Sequence, residues 1–255
     1  DAGAPPAWLP VRVAALEGKR VVEGGVGAAH SAALTSDGVL YTWGSNAEGQ
    51  LGLLDCAEYY STGDGTCQTH AATRPRSAHT PQLVDAFRVF DANGRTRGQA
   101  LARGYVTRAL RVRSIGVGWH YTLAIGTDGQ VYSWGYGETG QLGHARRQHH
   151  QSPDSHTVGV PTPIAVLEDE RIHSVHGGRF HSGALAEDGR VFMWGSNVFG
   201  QLGVGDTAAR FEPTVVGSLV GEHGVHVNLT TISLGTYHTV ALADKGYVLA
   251  WGSNA

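Results

Sequence analysis

Three groups of side chains in this sequence are of types that bind charge or do chemistry. Histidines cluster at His144, His149, His150 and His156, the first three within the run His-Ala-Arg-Arg-Gln-His-His-Gln. Imidazoles at that density bind transition metals weakly. No cysteine or carboxylate stands at a zinc-site spacing, however, so the run reads as a solvated loop. Arginines gather between 88 and 113, where Arg88, Arg95, Arg97, Arg103, Arg108, Arg111 and Arg113 stand against the single acid Asp91. Guanidinium groups recognise phosphate and carboxylate through paired donors, so this stretch suits nucleic-acid or lipid phosphate, or an acidic protein. Only Phe90 and Tyr105 offer stacking there, and a solvated insertion without a partner is the other reading. Arg95, Arg97, Arg103 and Arg108 are the candidate partner contacts. Cys56 and Cys67 lie in one stretch, as free thiols in a reducing compartment or as one bridge in an oxidising one.

Catalytic spacing is another matter. The sequence holds no Gly-rich phosphate loop ending in Lys-Ser/Thr, no Gly-x-Ser-x-Gly and no His-Glu-x-x-His. The catalytic, cofactor and metal assignments are therefore all none.

The elements that position these groups are set by an internal repeat. Four segments align without gaps: Gly27 with His30, Trp43 and Gly44; Gly118 with Tyr121, Trp134 and Gly135; Gly178 with His181, Trp194 and Gly195; Gly235 with His238, Trp251 and Gly252. The first glycine precedes the tryptophan by 16 residues in every copy, and a turn glycine precedes it by five. The second copy departs from the pattern, with Tyr121 at the histidine position. Three copies continue as Gly-Gln-Leu-Gly at 49–52, 140–143 and 200–203, whereas the fourth stops at Trp-Gly-Ser-Asn-Ala.

Each unit reads as β structure. A short apolar stretch meets an Asp-Gly-type turn and returns as Val-Leu-Tyr-Thr-Trp or its equivalent. A further strand is expected after each of Pro10, Pro81, Pro163 and Pro213, because proline fits the first residue of an edge strand. Four short strands per unit is the content of a propeller blade. Glycine, at 37 residues without a collagen period, points the same way. Repeat cores are expected at about 20–52, 111–143, 171–203 and 228–255 of one domain spanning 1–255. Tryptophan intervals of 91, 60 and 57 residues place an insertion within about 53–113.

The motif Gly-x-x-His-Ser/Thr, then Asp-Gly, then Trp-Gly-Ser-Asn-x-x-Gly-Gln-Leu-Gly resembles the regulator of chromosome condensation repeat over nearly the whole chain. That resemblance implies an all-β, seven-bladed β-propeller with four-stranded blades. Seven such units need roughly 400 residues, so 255 residues imply a partial ring of about four blades from a longer protein. A small closed ring, with residues 8–19 completing the last blade, is the alternative. One residue type recurring once per blade meets one structural need each time. The glycines are expected to serve turns, the tryptophans to bury rings between blades, and the histidines to hydrogen-bond within their own blade.

A formal charge of −3 argues against a dominant polyanion-binding role, and no apolar run has the length of a membrane-spanning helix. The resemblance implies a non-enzymatic protein–protein interaction scaffold, expected to be intracellular, cytoplasmic or nuclear. A guanine-nucleotide exchange factor for a Ran-like small GTPase is the alternative. A light-sensing propeller of clustered tryptophans is a third family role. Four of the six tryptophans belong to the repeat, and the sequence shows no added aromatic cluster.

Overall fold

The alternation of apolar runs and glycine turns folds into four antiparallel sheets in a computed structural model, which describes residues 9–53, 76–84, 110–145, 156–217, 228–244 and 246–254. Blade 1 contains β1 (Val21–Val26), β2 (His30–Thr35), β3 (Leu40–Ser45) and β4 (Ser77–Leu83). Blade 2 contains β5 (Val112–Val117), β6 (Tyr121–Gly126), β7 (Val131–Tyr136) and β8 (Thr157–Pro163). Blade 3 contains β9 (Ile172–Gly177), β10 (His181–Ala186), β11 (Val191–Gly195) and β12 (Arg210–Val215). Blade 4 contains β13 (Leu229–Leu234), β14 (His238–Ala243) and β15 (Val248–Gly252), three strands among the described residues. Within each sheet the strands neighbour one another in chain order, as a meander.

The core sits between blades. Ala32, Leu34 and Leu40 of blade 1 pack against Ile115, Tyr132 and Trp134 of blade 2. Tyr121, Leu123 and Ile125 meet Val175, Ala184 and Trp194 at the next joint. Met193 and Leu202 meet Ile232 and Ala241 at the last. β6 and β10, flanked by blades on both sides, are buried along their whole lengths. Strands covered on both faces have no solvated side, so their polar members Thr122, His181 and Ser182 are buried as well and need partners there. β1 and β14, each on a blade with one uncovered face, keep exposed positions.

The partial propeller matches the expected fold class, with two local corrections. The prolines do not open the outer strands: Pro81 and Pro213 lie late within β4 and β12, and Pro163 ends β8. These strands pair on one side only, and the pairing of β3–β4, β7–β8 and β11–β12 shifts register close by. A missing N–H is tolerated at such edges and bulges. The segment 9–19 is not a strand. It carries a 3-10 turn at Ala14–Leu16 and does not join blade 4, so the ring is open and the closed four-bladed alternative is not what the fold shows. Among the described residues no helix is long and apolar enough to cross a membrane.

Candidate functional site

The repeat motif is a clasp that joins each blade to the next. In Gly-x-x-His the glycine N–H donates to the carbonyl three residues on, from Gly27 to His30, Gly118 to Tyr121, Gly178 to His181 and Gly235 to His238. This turn lays the ring over the glycine. A Cβ on Gly27 would stand 2.5 Å from the His30 ring, and one on Gly118 would stand 2.0 Å from the Tyr121 ring. Only glycine leaves that space.

From there the ring crosses to the following blade. His30 Nε2 meets Thr122 Oγ1 at 3.0 Å, and His181 Nε2 meets Thr239 Oγ1 at 3.0 Å. The expected bond within its own blade is therefore corrected. Each threonine hydroxyl in turn donates back, Thr122 to Gln50 O at 2.9 Å and Thr239 to Gln201 O at 2.8 Å. Since that proton is spent, the threonine oxygen accepts, and the histidines carry their proton on Nε2. Their Nδ1 atoms are buried without partners. Burial, with a neighbouring histidine adding to it, pushes both His30 and His181 down to about 4.

The glutamine carbonyl of Gly-Gln-Leu-Gly collects a second donor. Trp134 Nε1 donates to Gln50 O at 3.0 Å, Trp194 to Gln141 O at 2.8 Å and Trp251 to Gln201 O at 2.9 Å. The glycine two residues on packs beneath the same indole, so a Cβ on Gly52, Gly143 or Gly203 would lie 2.8–3.0 Å from it. Trp43, with no blade packed ahead of it among the described residues, is half-buried. At the joint where tyrosine replaces histidine, the Tyr121 hydroxyl donates to His181 O at 2.6 Å. It also accepts from Gly178 N at 3.1 Å and lies 2.8 Å from Ser182 Oγ, whose own proton goes to Gln141 O at 2.7 Å. Burial, the largest cause, pushes its phenol well above the ordinary value.

What the clasp leaves unspecified is the pair of residues between glycine and histidine. Those loops share one face of the propeller with the turns that follow β3, β7 and β11. Backbone bonds tie them sideways: Ala28 N to Trp119 O at 2.8 Å, Trp119 N to Gly178 O at 3.1 Å and Arg179 N to Gly235 O at 3.2 Å. On this braced rim a strip of side chains runs across three blades. The Arg179 guanidinium lies 4.7 Å from the Trp119 ring and 4.8 Å from the Phe180 ring. Phe180 stacks on Tyr237 at 5.9 Å, and Tyr237 meets Phe199 at 4.9 Å. Trp119 is 41% exposed, Tyr237 37% and Phe199 50%, and neighbouring Val198 is 68% exposed. The expectation of no added aromatic cluster is thus corrected, since the cluster draws on one tryptophan and three other rings. Its signal was present in the variable positions: Trp119-His120, Arg179-Phe180 and Thr236-Tyr237 stand where blade 1 has Ala28-Ala29.

Arg95, Arg97, Arg103 and Arg108 lie outside the described residues, as do Arg88, Cys56, Cys67, His149 and His150. Two members of the basic stretch are described, and both bridge blades. Arg111 faces Asp37 at 3.9 Å, while Arg113 donates to the carbonyls of Ile172 and His173. His144 is not solvated. It is buried, with Nε2 2.7 Å from Ser133 Oγ. Among the described residues no three metal-ligating side chains converge.

The pattern of the Regulator of chromosome condensation (RCC1) repeat matches residues 37–92, 128–185 and 188–242, and a second pattern of the same repeat matches 21–50, 112–141 and 172–201. The Ultraviolet-B receptor UVR8 of Arabidopsis thaliana is 30% identical over 244 residues, which are 96% of this chain and 44% of that receptor. Protein pim1 of Schizosaccharomyces pombe is 29% identical over 264 residues, covering 91% of this chain and 47% of pim1. The chain spans less than half the length of these relatives. Among solved structures, human WBSCR16 superposes with a TM-score of 0.64 at 22% identity, over 93% of this chain and 48% of that one. Prp20p of Saccharomyces cerevisiae, whose structure is described together with its binding to Gsp1p and histones, gives 0.61 at 22% identity, over 89% of this chain and 45% of that one.

Proposed function

Because the chain belongs to the regulator of chromosome condensation repeat family, we propose that it is a non-enzymatic interaction scaffold whose binding surface is the loop face bearing Trp119, Arg179, Phe180, Tyr237 and Phe199. One observation carries this reading: exposed Trp119, Tyr237 and Phe199 join half-buried Arg179 and Phe180 in one strip on a rim braced by inter-blade backbone bonds. Large rings held out of the core cost hydration, and contiguous patches of this kind mark partner surfaces. The frame of each blade is repeated, so specificity resides in the variable loop positions. A photo-crosslinker at position 199 tests the reading. It is expected to capture a partner polypeptide, whereas one at exposed Val215, at the opposite end of blade 3, is not. Equal capture from both positions contradicts the loop-face assignment.

Arg95, Arg97, Arg103 and Arg108 are proposed as a second contact, for an acidic protein surface or a phosphate. Their joint replacement by alanine is expected to weaken capture without lowering thermal stability. Exchange on a Ran-like small GTPase is kept as the alternative because Prp20p is described with its binding to Gsp1p. Accelerated release of labelled guanine nucleotide by catalytic amounts of protein supports exchange, and an unchanged rate removes it. A cytoplasmic or nuclear home belongs to the same proposal and is checked by imaging the tagged protein.

A further inference from the structure

The strip is not chemically uniform. One end holds a guanidinium between rings, and the other is purely aromatic. Arg190 is neutralised by Glu170 and Asp188, Arg210 by Asp206, and Arg12 by Glu17. Arg179, by contrast, meets no carboxylate among the described residues, and its Nε is buried without an acceptor. Trp119 and Phe180 both lie against the group, and with Nε buried it is the Nη groups that remain to meet an acceptor. An arginine held by aromatic neighbours loses little further freedom on binding, and its paired donors match a carboxylate.

Resting on the scaffold reading above, we propose that this face takes a short partner segment of mixed chemistry. A carboxylate side chain meets Arg179, and an adjacent bulky apolar side chain covers the Phe180–Tyr237–Phe199 end. Charge decides between this ligand and a nucleic acid. A strand laid on aromatic rings also brings a phosphate per nucleotide and needs a row of cations. Among the described residues the strip offers one cation, Arg179. Exposed Glu138 adjoins the strip, through the turn whose Thr139 hydroxyl lies 3.2 Å from Phe180 O. The whole chain carries a formal charge of −3. A single carboxylate fits that balance, and a polyanion does not.

The probe is a random twelve-residue peptide library displayed on phage and selected on the protein. Peptides released by Phe199→Ser are then synthesised and measured by fluorescence anisotropy. The expected peptides carry Asp or Glu within two positions of a Leu, Phe or Trp. Changing that acid to its amide, or making Arg179→Gln, is expected to weaken binding about tenfold or more, the scale of one charge-assisted hydrogen bond. Combining the two changes is expected to cost no more than either alone, since each removes the same pair. Unfolding midpoints of both protein variants are expected to equal the wild type.

The proposal is overturned if the acid-to-amide change leaves affinity intact, if Arg179→Gln does so, or if selection yields no peptide sensitive to Phe199→Ser. It is overturned in favour of nucleic acid if oligothymidylate binds and the strip substitutions abolish that binding. Crosslinking from position 199 with any of these outcomes leaves the scaffold reading standing and removes only the carboxylate ligand, so the two failures are distinguishable.

Discussion

Replacing Tyr121 with phenylalanine removes one oxygen from the joint between blades 2 and 3 and leaves the ring on Gly118 in place. That oxygen is fully buried and has three partners: His181 O, Ser182 Oγ and Gly178 N. None of the three is orphaned by its loss. Gly178 N still reaches His181 O at 2.9 Å, and Ser182 Oγ still donates to Gln141 O at 2.7 Å. The cost is therefore that of one or two net hydrogen bonds, about 1–2 kcal/mol, rather than the larger penalty of stranding each group. For a chain of this size that lowers the melting temperature by roughly 2–8 °C. The assay is urea unfolding followed by tryptophan fluorescence, with Tyr136→Phe as the control. Tyr136 bonds Glu138 at the surface, so its change is expected to stay within about 0.5 kcal/mol. A Tyr121→Phe cost indistinguishable from that control refutes the clasp as a source of stability. A cost above about 4 kcal/mol refutes the claim that its neighbours keep second partners.

The same geometry fixes three other outcomes. Trp194→Phe loses the bond to Gln141 O and opens a gap at a fully buried site, for about 2–3 kcal/mol in chemical unfolding. Gly203→Ala is destabilising by more than about 1 kcal/mol, because the residue has φ +68° and its Cβ would lie 2.8 Å from Trp251 Nε1. Acid weakens the fold through His30 and His181, whose values drop from the ordinary 6.5 to about 4. The unfolded chain takes up those protons first. The stability is thus complete above about pH 6.5 and is lost as pH falls toward 4. Thermal unfolding across that window checks it, and His181→Gln is expected to flatten the slope.

Legibility in the sequence followed the locality of the contacts. Gly-x-x-His was readable because its bond spans three residues, and Trp-Gly because it recurs at one register in every blade. The direction of the clasp was not, since His30 meets Thr122 across 92 positions and nothing nearby in the chain distinguishes that partner from one within the blade. The prolines misled for a similar reason. An edge strand tolerates proline at its start or beside a register shift, and pairing alone decides which. The aromatic strip was hidden because Trp119 and Arg179 stand 60 residues apart, each in a position the repeat leaves free. Only stacking the blades brings those free positions onto one rim.

Partner capture by the wild-type protein, compared with a variant carrying Trp119→Ala, Arg179→Gln, Phe199→Ser and Tyr237→Ser, tests the assignment of function to the loop face most directly. The predicted result is loss of the specifically captured partners by a variant whose clasp, and hence unfolding midpoint, is unaltered. Recovery of the same partners at the same yield contradicts it.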